Sequence, residues 1–269
     1  NFNWESKKRL NKLGINSSFE GLIKTVNYEA KNTKDYKNNR SISEVNSVIG
    51  YFADLGLYKN DFINKSLYTL TPKFLLRYAP GHMRDLDNIT KLSYGNLFNL
   101  NKIDQFDAIE TGLSSSIGFE YKKNRLKEEN IIGDEIYSFS AGQVITAEEN
   151  PDIPSTSSLD QKFSDIVGES KYNINDNINL SYNFSLDQNY KTFNYNEIGT
   201  DIDFNKVKFN VSYLEEKNHI GNQEFVKSGI DFTLNNSSKI SLTSKRNLLT
   251  SSSEFYNLSY NYINDCLTA

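Results

Sequence analysis

Between Tyr172 and Leu186 the chain reads YNINDNINLSYNFSL, and its residues alternate without a break. Tyr172, Ile174, Ile178, Leu180, Tyr182, Phe184 and Leu186 are apolar or aromatic, with Asp176 the exception at the even positions. Asn173, Asn175, Asn177, Asn179, Ser181, Asn183 and Ser185 between them are small and polar. Successive side chains on a strand point to opposite faces, so this pattern makes a ribbon with one greasy and one wet face. A 3.6-residue period would scatter the same apolar positions around a helix. The stretch predicts one strand of about fifteen residues, far above the usual five or six. Such a strand suits a wall between lipid and water, with the Tyr172 set facing lipid and the Asn173 set facing a polar lumen.

The rest of the chain repeats the pattern. Segments 17–30, 47–58, 67–78, 113–121, 135–146, 192–204, 207–213, 226–234, 240–242 and 256–262 read as further strands. Pro72 demotes the 67–78 run to an edge, a bulge or two pieces, because proline cannot donate to a ladder. The change of parity between Phe193, Tyr195 and Ile198 predicts a bulge near Asn196-Glu197. Asn205-Lys206 predicts a tight hairpin. Asn32 to Arg40, Lys122 to Glu129 and Asn150 to Ser158 read as polar loops. Tight turns and longer connections alternate, as in outer-membrane barrels. The expected fold is all-β: an antiparallel up-and-down transmembrane β-barrel, here an incomplete section of roughly a dozen strands. Residues 1–269 form one such partial domain, and both ends read as cut.

Composition agrees with a membrane wall built from strands. Mean hydropathy is only −0.60, and no run of 18 apolar residues exists, so a transmembrane helix is excluded. In a barrel only alternate residues meet lipid, so low average hydropathy is expected. The 17 Tyr and 17 Phe argue against disorder. A net charge of −4 and mixed Lys/Arg and Asp/Glu give no basic face for nucleic acid. The charged residues read as a solvated rim.

No catalytic constellation emerges, and the chain is expected not to be an enzyme. His82 and His219 read as solvated loop residues. No G-x-S-x-G elbow is present. Glu148, Glu149 and Asp152 share a proline-containing loop that could offer oxygen ligands to Ca²⁺, and a solvated loop is the plainer reading. No cofactor or metal is expected. Cys266 is the single cysteine, which excludes an internal disulfide.

Several segments resemble the carboxy-terminal barrel of the LPS-assembly protein family LptD, also called OstA or Imp. Residues 97–104 (LFNLNKID) and 106–112 (FDAIETG) are similar to that family's hairpin entry, with Lys102 and Gln105 standing where an Arg and a Gly are common. Residues 137–143 (YSFSAGQ) resemble the next strand, 151–159 the loop after it, and 260–267 (YNYINDCL) a late strand bearing a cysteine. The resemblance runs from about Ser47 onward. It implies an outer-membrane translocon that inserts lipopolysaccharide into the outer leaflet. It also implies an LptE-type plug lipoprotein and periplasmic LPS bridge proteins as partners, and a disulfide from Cys266 to a cysteine outside this sequence. The alternatives are another outer-membrane barrel, such as a porin or TonB-type receptor, and a soluble secreted β-sandwich adhesin.

Overall fold

The computed structural model describes residues 1–32, 41–87, 89–127, 131–235 and 237–263. Among the described residues are fifteen strands and one short 3₁₀ turn, Ser155–Ser157. The strands are β1 (Phe2–Glu5), β2 (Arg9–Leu10), β3 (Ile15–Glu29), β4 (Ser41–Leu55), β5 (Leu57–Asp61), β6 (Ser66–Ala79), β7 (Gly112–Leu126) and β8 (Ile132–Thr146). They continue with β9 (Ile166–Asn175), β10 (Ile178–Leu186), β11 (Phe193–Phe204), β12 (Val207–Glu216), β13 (Gln223–Asn235), β14 (Ser238–Asn247) and β15 (Ser252–Tyr262). All belong to one sheet, whose path runs β1-β3-β4-β6 and then strand by strand to β15, with β2 on β3 and β5 on β6. All the pairs are antiparallel, and β1 and β15 are not paired with each other. This is an up-and-down sheet that stays open, an incomplete section of a barrel. The excess over a dozen strands comes from the short pieces β1, β2 and β5.

Strands β3, β4, β7 and β8 are each 15 residues long, above the nine to eleven that a tilted strand needs to cross a bilayer. Among the described residues, no helix is long and apolar enough to cross a membrane. The connections fall into two sets. At one end lie the turns after β5, β9, β11 and β13. At the other lie residues 80–111, 147–165, 187–192, 217–222 and 248–251.

The stretch Tyr172–Leu186 is a hairpin, not one strand. It turns at Asp176-Asn177, where the Asn177 N–H donates to Asn175 Oδ1 at 2.9 Å and Asn177 Nδ2 donates to the Asp203 carbonyl at 2.6 Å. The reason the turn is invisible in the pattern lies in the register. A two-residue turn sets Asn175 opposite Ile178, which would swap odd and even faces between the arms. The ladder then skips Ile174, so Asn179 opposes Asn173 and Leu180 opposes Tyr172. The bulge cancels the turn's change of parity, and the alternation runs through unbroken.

Two further expectations are corrected. The irregularity in β11 falls at Asn194, between the pairs Ser185–Tyr195 and Leu186–Phe193, not at Asn196-Glu197. Pro72 sits inside a continuous β6, opposite Phe119 of β7. The break appears in the neighbour instead: β4 ends its pairing at Asp54–Lys73 and β5 resumes at Leu57–Leu70, leaving Thr71 and Pro72 without partners on that side. The loop at 33–40 and Cys266 lie outside the described residues.

One face of the sheet carries the core. Residues 80–111 and 147–165 fold back over it, bringing Met83, Leu92, Leu97, Ile103, Ile153 and Leu159 against Val144 and Val167 of the wall. A smaller cluster joins Ile109 to Val48 and Ala79. This face is called inner below, and the opposite one outer.

Candidate functional site: a two-faced wall with inserted segments

Residues directly opposite each other in a ladder share a face, so the registers map both sides of the wall. On the outer face one row reads Ile202, Phe209, Ile230, Leu242 and Leu258 across β11 to β15. The next row reads Phe204, Val207, Phe232, Ile240 and Tyr260. Ile230 is 39% and Leu258 72% exposed, so this apolar band lies bare. The inner row between these two reads Asp203, Lys208, Asp231, Ser241 and Ser259. Ion pairs lace it, Lys208 with Asp203 at 2.6 Å and Lys239 with Asp231 at 2.8 Å.

Toward the other half, Tyr68, Tyr121, Tyr137 and Tyr172 touch in series across β6 to β9, with ring centroids 6.2 to 6.4 Å apart. They lie near the tight-turn end. A belt of tyrosines at the rim of an apolar band is how barrels meet the headgroup layer.

The registers also place the residues of the 172–186 stretch. Asn173, Asn179, Ser181, Asn183 and Ser185 are on the inner face, through Ser185–Val167, Val167–Gly142 and Asn183–Glu169. Tyr172, Leu180, Tyr182, Phe184 and Leu186 are on the outer face. Ile174 is the bulged residue and Ile178 opens β10, while Asn175 and Asn177 build the turn rather than a face.

The inserted segments approach the inner wall closely because small residues line it there. Ser114, Ser116 and Gly118 of β7 stand beside Ser140, Gly142 and Val144 of β8. Ser116 Oγ donates to the Leu97 carbonyl at 2.7 Å. A Cβ added at Gly142 would lie 2.4 Å from Leu97 Cδ2. The two segments hold one another through Leu86 N–H to the Asp152 carbonyl and Leu92 N–H to the Ser157 carbonyl, both 3.1 Å.

Charge pins residues 80–111 to the wall. Arg77 and Lys102 are 1% and 0% exposed, against the expectation that basic residues form a solvated rim. Glu110 joins them: its Oε1 is 3.1 Å from Arg77 Nη1 and 3.3 Å from Lys102 Nζ. Its Oε2 accepts the Lys102 N–H at 3.0 Å and the Ile103 N–H at 3.2 Å, and Arg77 Nη2 donates to the Glu110 carbonyl at 2.7 Å. Burial pushes the Lys102 ammonium down to about 8; Glu110 opposes the shift and Arg77 adds to it. Lys24 donates from the wall to the Gln105 and Ala108 carbonyls, and Arg84 pairs with Asp107 at 2.8 Å.

A second polar cluster joins the longer connections. Asp165 Oδ2 accepts from Ser185 Oγ at 2.8 Å and Asn194 Nδ2 at 2.9 Å, and lies 3.3 Å from His219 Nε2. His219 is therefore a paired residue, not a solvated one. Its hydrogen bond to Asp165 raises its affinity for a proton despite partial burial. Burial acts to raise Asp165, but the bonds from His219, Asn194 and Ser185 hold it below the usual carboxylate range. Asp187 brings a third possible ligand atom to within 4.8 Å of these two. Glu148, Glu149 and Asp152 form no such group among the described residues.

Neither charged cluster was visible in the sequence. The readable trace was the run of small inner residues at 114, 116 and 118 and at 138, 140 and 142, which leaves room for chain packed against the wall.

A family model described as LptD, LPS transport system D, matches residues 19–243. Among solved structures, two mutant forms of the Rh. blastica porin are similar at 11% identity. Each alignment covers 94% of this chain and 81% of that chain, with TM-scores of 0.40 and 0.39. No curated protein matches.

Proposed function

We propose, from the premise that this chain belongs to the LPS transport system D family, that it is part of the outer-membrane translocon that inserts lipopolysaccharide into the outer leaflet. The observation that supports this most is the pairing of a bare apolar outer band with a charged and amide-rich inner face across the sheet. Acyl chains and sugars make opposite demands on solvent, and this wall offers one face to each. In hydrocarbon every backbone group must be satisfied within the protein, which a sheet closed by further strands achieves. The inserted segments 80–111 and 147–165 lie at the end with the longer connections, the outward end in barrels of this type. Lipopolysaccharide is the cargo in this reading, with a plug lipoprotein and a periplasmic bridge as partners. Asn173, Asn179, Ser181, Asn183 and Ser185 line the polar passage, Tyr172, Leu180, Tyr182, Phe184 and Leu186 face lipid, and Cys266 is the disulfide residue.

The test is photo-crosslinking in Gram-negative cells that depend on the full-length protein. A photoreactive residue replaces Ser181 or Ser212 on the inner face, or Leu180 or Val211 on the outer face. Lipopolysaccharide adducts at Ser181 and Ser212 are expected during transport, and they should vanish when supply from the inner membrane is stopped. Adducts confined to ordinary phospholipid at Leu180 and Val211, with none on the inner face, would reduce the protein to a barrel of another kind.

A further inference from the structure

A cavity of about 310 Å³ opens where the ends of β6, β7 and β8 meet residues 147–159. Its floor is Arg77, whose Nη1 and Nη2 are engaged by Glu110 and Ser114. The Nε–H has no acceptor in the protein although the side chain is 1% exposed. Val144, Ile153 and Leu159 make an apolar side. Glu148 and Glu149 stand exposed at the mouth.

Each part of this lining excludes a class of occupant. The floor requires an acceptor for a buried N–H. The mouth, with two exposed carboxylates, repels an anion and accepts from a donor. A phosphate or carboxylate would satisfy the floor but meet Glu148 and Glu149 on entry. A metal ion or ammonium would suit the mouth but meet the Arg77 guanidinium at the floor, whose unpaired N–H needs an acceptor. A hydroxyl both accepts and donates, so a neutral polyhydroxylated ring satisfies floor and mouth together. The C–H face of such a ring fits the apolar side, and the volume lies at the small end of ligand pockets. We propose that this cavity is a monosaccharide subsite for one neutral ring of the carbohydrate of lipopolysaccharide. The inference rests on the transport reading above and assigns one part of the cargo to one place.

The experiment uses the full-length protein in detergent micelles and saturation-transfer NMR with methyl glycosides of glucose, galactose and N-acetylglucosamine. At least one glycoside should receive transfer at its ring C–H protons, and equal concentrations of inorganic phosphate or MgCl₂ should not displace it. Removing both mouth carboxylates, Glu148→Ala with Glu149→Ala, should weaken binding about tenfold or more. Filling the mouth with Ala147→Trp should abolish it, while both variants keep wild-type heat-modifiable gel mobility. No transfer to any glycoside at tens of millimolar, displacement by phosphate or Mg²⁺, or transfer indifferent to both variants would overturn the proposal. If the inner-face crosslinks to lipopolysaccharide persist in that case, the subsite alone fails. If they are absent too, the transport reading fails with it.

Discussion

Replacing Glu110 by Gln is expected to loosen residues 80–111 from the wall by about 3–5 kcal/mol, the range for removing one partner of a buried ion pair. Glu110 is the common counter-ion of Arg77 and Lys102 and takes the Lys102 and Ile103 N–H groups on its other oxygen. The amide oxygen of Gln can keep one backbone bond but neutralises neither cation. Lys102 can relieve part of the cost. Its ammonium already sits at about 8, and losing Glu110 lowers it further, so it sheds its proton near neutral pH. Arg77 has no such escape, because a guanidinium stays charged. Native-state hydrogen exchange on the full-length protein in micelles reads the result directly. Where exchange is limited by local opening, 3–5 kcal/mol corresponds to roughly a hundredfold to a few thousandfold faster exchange at Ile103 and its neighbours. The strands β11 to β15 should keep their protection. A triple replacement, Arg77→Met with Glu110→Leu and Lys102→Met, removes all three charges and should recover most of the loss. An increase below tenfold in Glu110→Gln, or a triple variant worse than the single one, would show that these charges do not fasten the segment.

Three shorter predictions follow from the same geometry. Val211→Lys places a charge on the outer face and should destabilise the refolded barrel by about 2–4 kcal/mol if the residue lies near the bilayer midplane; Ser212→Lys, one residue on and on the inner face, should change stability by less than a quarter of that in urea titrations in lipid vesicles. Gly142→Ala should cost about 1–3 kcal/mol by overpacking against Leu97 and against the Ile117 carbonyl of β7, with faster exchange at residues 96–98 and along the β7–β8 pairing. The His219–Asp165 contact should depend on pH in two directions. The raised His219 contributes stability fully present below 6.5 and lost as pH rises through its higher folded value. The lowered Asp165 contributes stability present above 3.8 and lost as pH falls through its lower folded value. Protection of residues 217–222 should therefore be greatest between about pH 4 and 6.5 and fall above it. His219→Gln should flatten the alkaline side of that profile, and an unchanged profile would refute the pairing.

The wall could be read from the sequence because its two faces have different solvents, and a strand writes that difference every second residue. The same economy concealed the hairpin at Asp176-Asn177. A turn flips parity and the bulge at Ile174 flips it back, so the chain reads as one long strand while the face assignments of Leu180 and Tyr172 agree across the gap. Periodicity reports which side a residue faces and is blind to direction along the sheet. The inserted segments were illegible for the opposite reason. The inserted stretch has no period, because its fixed points meet different places on a distant wall: Leu97 meets Ser116 and Gly142, Glu110 meets Arg77, and Gln105 meets Lys24. Lys102 shows the limit most sharply. In the sequence it stands between Asn101 and Ile103, and its own charge and neighbours do not mark it for burial. Its burial depends on Glu110, eight residues on, and on a guanidinium brought by β6. Two cations around one carboxylate make sense only once the fold has enclosed them, because a buried charge is tolerated only where a counter-ion meets it, and Glu110 meets both Arg77 and Lys102.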